Sequence, residues 1–92
     1  MTYLHQELDL SSSDVVEVTL SGQANVLLLD AANFERYRSG QQYRYVGGLY
    51  KLSPARLRVP REGRWHLIVD LGGFAGRVQA GVRVLPGVAI GA

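Results

Sequence analysis

Apolar and polar positions alternate through most of this chain, and the clearest run lies between Arg64 and Gly73. Side chains of a strand point alternately to its two faces. Trp65, Leu67, Val69 and Leu71 therefore share one face, and His66, Ile68 and Asp70 the other. So continuous an apolar run predicts a strand central in its sheet. Tyr3 to Leu10 alternates more openly, with Leu4, Gln6, Leu8 and Leu10 on one side. Tyr3, His5, Glu7 and Asp9 lie on the other, which fits a first strand with one wet face. Ser11 to Asp14 reads as a turn, because each residue can bond its own backbone. Val15 to Leu20 follows as a second strand with Val16, Val18 and Leu20 inward. After the short link Ser21-Gly22-Gln23, Ala24 to Leu29 forms a more buried third strand.

At Asp30 the period changes. Asp30 suits an N-cap, Phe34 and Tyr37 fall three apart on one helical face, and Gly40 suits a left-handed stop. One short helical turn is expected, crossing an end of the sheets with Phe34 as its anchor. Gln41 to Ser53 reads as a short strand followed by a mobile loop. Ala55 to Val59 is a clean alternation with Arg56 and Arg58 outward. Gly72 to Gly76 reads as a turn, and Arg77 to Leu85 as the last strand, with Val78, Ala80, Val82 and Val84 inward. About seven short strands with glycine-rich turns predict an all-β domain. The expected architecture is an antiparallel β-sandwich or flattened barrel over residues 3–85, ending in a flexible tail, 86–92.

Composition narrows the function classes. Ninety-two residues without cysteine exclude disulfides and cysteine-based metal sites. No apolar run reaches the roughly 18–20 residues of a membrane span, and the first twenty residues carry no export signal. A cytoplasmic protein is expected, with no membrane contact. The net charge of +2 is unevenly spread: residues 1–35 hold six acids and no base, while residues 36–92 hold all ten bases and two acids. Such asymmetry can steer an anionic partner or drive self-association. In a β domain the simpler reading is pairing across strands. The small summed charge makes nucleic acid an unlikely partner.

Several residues together resemble one family. They are His5, Asp14-Val15-Val16-Glu17-Val18, Gln23-Ala24-Asn25-Val26, Asp30, Asn33, Phe34, Tyr37 and Gly40, followed by Gly47-Gly48, Ser53-Pro54, and the Trp65-His66 strand through Gly73. This pattern is similar to the domain of unknown function 1883 family of small bacterial proteins. The resemblance implies a compact β-rich domain, found alone or joined to a TIR domain of bacterial immune signalling. It implies a sensing, regulatory or scaffolding role in signalling or defence with a partner chain, and no catalytic residue.

The residues themselves favour binding over catalysis. A Ser–His–Asp set from Ser53, His66 and Asp70 fails, because His66 and Asp70 would stand roughly 13 Å apart along one strand face. Gly47-Gly48 and Gly72-Gly73 lack the Lys and Ser/Thr of a phosphate loop and read as turns. His5 and His66, with Glu7 or Asp70, would suit zinc if the first strand pairs with the Trp65 strand. The simpler reading makes both histidines partly exposed polar positions, and no metal or cofactor is assigned. Asp70 is expected to pair with an arginine of the last strand, Arg77 or Arg83. Tyr37, Tyr43, Arg44, Tyr45 and Tyr50, with Arg38 and Lys51 among them, form the candidate contact surface. Interleaved aromatics and bases can stack on rings or sugars and clamp phosphate. The expected function is a non-catalytic binding or assembly module. The alternative is a receptor for a small anionic nucleotide or glycan.

Overall fold

The computed structural model describes residues 3–72 and 76–87. Seven strands and one helix follow in the order β1 (Tyr3–Leu10), β2 (Val15–Leu20), β3 (Ala24–Leu29), α1 (Ala31–Arg38), β4 (Val46–Tyr50), β5 (Ala55–Arg58), β6 (Gly63–Asp70) and β7 (Ala80–Leu85). They form two antiparallel sheets, one ordered β1-β6-β3-β4 and the other β5-β2-β7. The sheets do not close, so the architecture is a sandwich and not a flattened barrel.

The inter-sheet core follows from the alternation. Trp65, Leu67 and Val69 of β6 and Val26 and Leu28 of β3 meet Val16 and Val18 of β2 and Leu57 of β5. Trp65 Nε1 donates to the Arg61 carbonyl at 3.1 Å, so its polar atom is satisfied as its ring is buried. β6 sits between β1 and β3, as its apolar run predicts, and every residue from Trp65 to Asp70 is buried.

Burial on both faces of β6 has a specific cause. The helix has two turns and does not cross an end of the sheets. Phe34 and Tyr37 set it against the outer face of the four-stranded sheet, where Leu27, Leu29, Phe34 and Ile68 form a second, smaller core. A third layer therefore covers the outer face of β6, while on β1 it reaches Tyr3 and the His5 ring and leaves Glu7 and Asp9 exposed. Asp30 caps α1 by accepting from the Asn33 N–H at 2.9 Å, and Gly40 follows the helix at φ +75°. Arg61 ties the cap down, with Nη2 at 2.7 Å from Asp30 Oδ2 and its guanidinium over the Trp65 ring.

Three further expectations are corrected. The strand in Gln41–Ser53 comes second, at β4, and the segment before it is fastened: Gln41 N–H donates to the Arg36 carbonyl and Arg44 N–H to Asn33 Oδ1. Gly47 and Gly48 are consequently not a turn but the middle of β4. Gly47 has φ +116°, and a Cβ there would lie 2.7 Å from Leu57 Cδ2 and nearer still to the Val26 carbonyl oxygen. Close approach of two backbones is what selects glycine inside a strand. The last strand starts at Ala80, not Arg77. The expected turn at 72–76 and the tail at 86–92 lie partly outside the described residues.

The two charge blocks interleave. Glu17 lies between Arg56 and Arg83 at 3.0 and 2.8 Å, Arg64 bridges Glu7 and Asp9, and Arg61 holds Asp30. The Arg56 hydrogen bond, foremost, holds the Glu17 carboxyl below its ordinary range. Gly47→Ala should destabilise the protein by at least about 2 kcal/mol in urea unfolding, through strain and overpacking. Gly22→Ala, with nothing within 4 Å of the added carbon, should change stability little.

Candidate functional site

The β1–β6 register pairs Tyr3 with Asp70, His5 with Ile68 and Glu7 with His66. Period two then gathers Tyr3, His5 and Glu7 beside His66, Ile68 and Asp70 on one face, beneath α1. The Phe34 ring stacks on His5 and His66, with centroids 4.4 and 4.3 Å away. His5 Nε2 lies 2.8 Å from His66 Nδ1. That contact is too short for stacked ring faces, so the imidazoles meet edge to edge with Phe34 flat over their seam. One of the two nitrogens must carry the hydrogen and the other accept it. His66 is only 7% exposed, which corrects its reading as a partly exposed position. Burial holds its imidazole below the ordinary value, and His5 acts in the same direction.

Asp70 organises the other end of this face. It is 5% exposed, yet its carboxylate accepts from Tyr37 OH at 2.7 Å, Asn25 Nδ2 at 2.8 Å and Gly72 N–H at 2.9 Å. The expected arginine partner is replaced by three neutral donors, because Arg83 lies on the other sheet and is committed to Glu17. Burial, then the bond to Asp70, pushes the Tyr37 phenol well above its usual range. Tyr43 is raised too, by burial and then by the Asp70 charge.

Beside this pair opens a groove of about 600 Å³, lined by Tyr3, Tyr37, Arg38, Gly40, Gln41 and Tyr43. Tyr37 meets Tyr3 and Tyr43 edge-on, at centroid distances of 5.4 and 5.2 Å. Tyr45 follows at 5.6 Å from Tyr43 and is half exposed. Of the sequence candidates, Tyr37 and Tyr43 line the groove. Arg44 and Tyr45 line a separate, smaller recess with Arg61 and Trp65. Tyr50 packs against the inter-sheet core and belongs to neither. The set of five is thus divided. Tyr3, Gly40 and Gln41 are the lining residues the sequence reading missed. Tyr3 is far in sequence from Tyr37 and Tyr43, and its one signal is that it shares a strand face with His5.

The family described as Domain of unknown function (DUF1883) matches residues 1–87. The chain belongs to this family. No curated protein and no solved structure matches it. Of the residues that carry the family pattern in this member, His5, Asn25, Phe34, Tyr37, His66 and Asp70 converge on the face just described. In this DUF1883 domain no helix among the described residues is long and apolar enough to cross a membrane.

Two outcomes follow for the attachment of α1. Tyr37→Phe removes a donor from a buried carboxylate and should cost about 1–3 kcal/mol in urea unfolding. Asp30 is held below its ordinary value of 3.8, first by the Asn33 backbone hydrogen bond. A depressed carboxyl contributes stability that is present above its unfolded value and is lost as pH falls through the folded one. Asp30→Asn keeps a capping side chain but has no charge to lose. Melting temperature followed from pH 6 down to about 2 should therefore fall less in Asp30→Asn than in the parent, with the difference arising below about pH 4. Parallel curves would contradict the assignment.

Proposed function

We propose that this domain is a non-catalytic binding module whose site is the tyrosine-lined groove beside α1, and that the groove takes a small anionic ligand of the nucleotide or glycan class. The observation that carries this is the groove's form. Its volume of about 600 Å³ lies within the usual range for small-molecule sites. Three tyrosine rings offer faces and edges for a base or sugar, and Arg38 offers the charge for a phosphate or carboxylate. The Ser21 and Ser53 hydroxyls accept from backbone amides, the Ser39 hydroxyl donates to the Glu35 carbonyl and accepts from Gln41, and the histidines bond to each other. That distribution favours binding over nucleophilic chemistry.

A second reading, a module docking on a partner chain in bacterial signalling or defence, draws on one observation. Leu49 and Tyr45, 54% and 50% exposed, present apolar surface near the groove, with Leu49 on the edge strand β4.

Thermal melts against mononucleotides, cyclic nucleotides and acidic sugars test the proposal. A ligand near 100 times its Kd should raise Tm by roughly 10 °C or more. The rise should shrink in high salt, since exposed charge contacts are screened, and should vanish in Tyr43→Ala. A flat screen, or a shift that Tyr43→Ala leaves intact, would contradict the site. A flat screen would also transfer the weight to the docking reading, for which Leu49→Asp is the matching variant.

A further inference from the structure

We propose that His5, Glu7 and His66 form a binding site for a divalent transition metal of the zinc class. The site is separate from the groove and does not depend on it. Its basis is the strand register. His5 and Glu7 are two apart on β1 and share a face, and His66 stands directly opposite Glu7 on β6. Two strands thus deliver three ligating side chains to one point.

The distances suit the chemistry. His5 Nε2 and His66 Nδ1 are 2.8 Å apart, Glu7 Oε1 is 4.0 Å from His66 Nδ1, and the three ligand atoms lie within 4.8 Å of one another. Zinc binds imidazole nitrogen at about 2.0–2.1 Å, so tetrahedral ligand atoms stand about 3.3–3.4 Å apart. The histidine nitrogens need to open by about half an ångström, and the carboxylate to close by up to about 1.5 Å. Glu7 is exposed at the end of a long side chain and has room to close, while the His5 ring stays under Phe34. Glu7 Oε2 lies 3.4 Å from Arg64, but that guanidinium also holds Asp9 at 3.1 Å and keeps a partner when Glu7 turns.

The hydrogen shared by His5 Nε2 and His66 Nδ1 lies on the line between the two nitrogens, and a metal ion would replace it by seating beside that line as the nitrogens open. Phe34 lies flat over both rings and fixes their planes, so the two nitrogens already converge before an ion arrives. Ligands held in place by packing lose little freedom on binding. Two imidazoles and a carboxylate without thiolate select zinc, nickel, cobalt or copper over magnesium and calcium. Three protein ligands leave the fourth position for water or an external group. Asp70 takes no part, since its oxygens are occupied by Tyr37, Asn25 and Gly72.

The test is titration of chelator-treated protein with zinc chloride by calorimetry, and with cobalt chloride followed by visible absorption. The expected result is saturable 1:1 zinc binding at micromolar concentrations, with the absorption of low-symmetry cobalt. His5→Gln and Glu7→Gln, both at exposed positions, should keep the fold by circular dichroism and weaken zinc at least tenfold. Glu62→Gln, exposed in the turn before β6, should bind as the parent does. His66→Gln should abolish binding, and the exposed variants keep the question decidable if that buried change unfolds the protein. No saturable binding, unchanged affinity in His5→Gln, or an equal loss in Glu62→Gln would overturn the site.

Discussion

A buried carboxylate needs its oxygens satisfied, and in this domain that need joins three elements. Asp70 closes β6 on the outer face of the four-stranded sheet, where water is excluded by α1 and Tyr3. An ionised carboxylate accepts strong, short hydrogen bonds. Asn25 supplies one from β3, Gly72 one from the chain beyond β6, and Tyr37 one from α1. The last of these is decisive for the architecture. A helix of eight residues has little stability of its own and must be held by tertiary contacts. Tyr37 on Asp70, Phe34 on the two imidazoles and Asp30 on Arg61 hold it at three successive points.

The consequence is a sandwich with unequal faces. On the three-stranded sheet the outer face presents Glu17, itself only 8% exposed, between the exposed guanidiniums of Arg56 and Arg83. On the four-stranded sheet the helix builds a second apolar layer and leaves open ground beside it. The groove lies where α1 ends and the chain runs through Gly40 and Gln41 toward β4. It owes its tyrosine walls to three separate segments, β1, α1 and the segment before β4. Tethers from Gln41 to Arg36 and from Arg44 to Asn33 hold that last wall against the helix.

Much of this was legible in the order of residues. Alternation separated Trp65, Leu67 and Val69 from His66, Ile68 and Asp70, and it placed β6 among the inner strands. Asp30, Phe34 and Gly40 marked the helix, because capping and stopping are local matters. What failed depended on residues distant in sequence. Gly47-Gly48 resembles a turn until β4 is seen to lie against Val26 and Leu57. His66 reads as a solvent-facing residue until a helix covers its strand. Asp70 suggests an arginine partner because charge pairs with charge, whereas the topology brings it asparagine, tyrosine and a backbone amide. Tyr37 and Tyr43 were identifiable as neighbours from their spacing, and they line one groove. Tyr3 was not, because only the β1–β6 register brings it to them.

The central claim is that the outer face beside α1 is where this domain engages its ligand. Amide chemical-shift mapping of the ¹⁵N-labelled protein against a mononucleotide and an acidic sugar tests it most directly. The account predicts saturable shifts concentrated at Tyr3, Arg38, Gly40, Gln41 and Tyr43, with β2 and β5 silent. Saturable shifts centred on the Arg56–Glu17–Arg83 ladder, or none at any residue for either ligand, would contradict it.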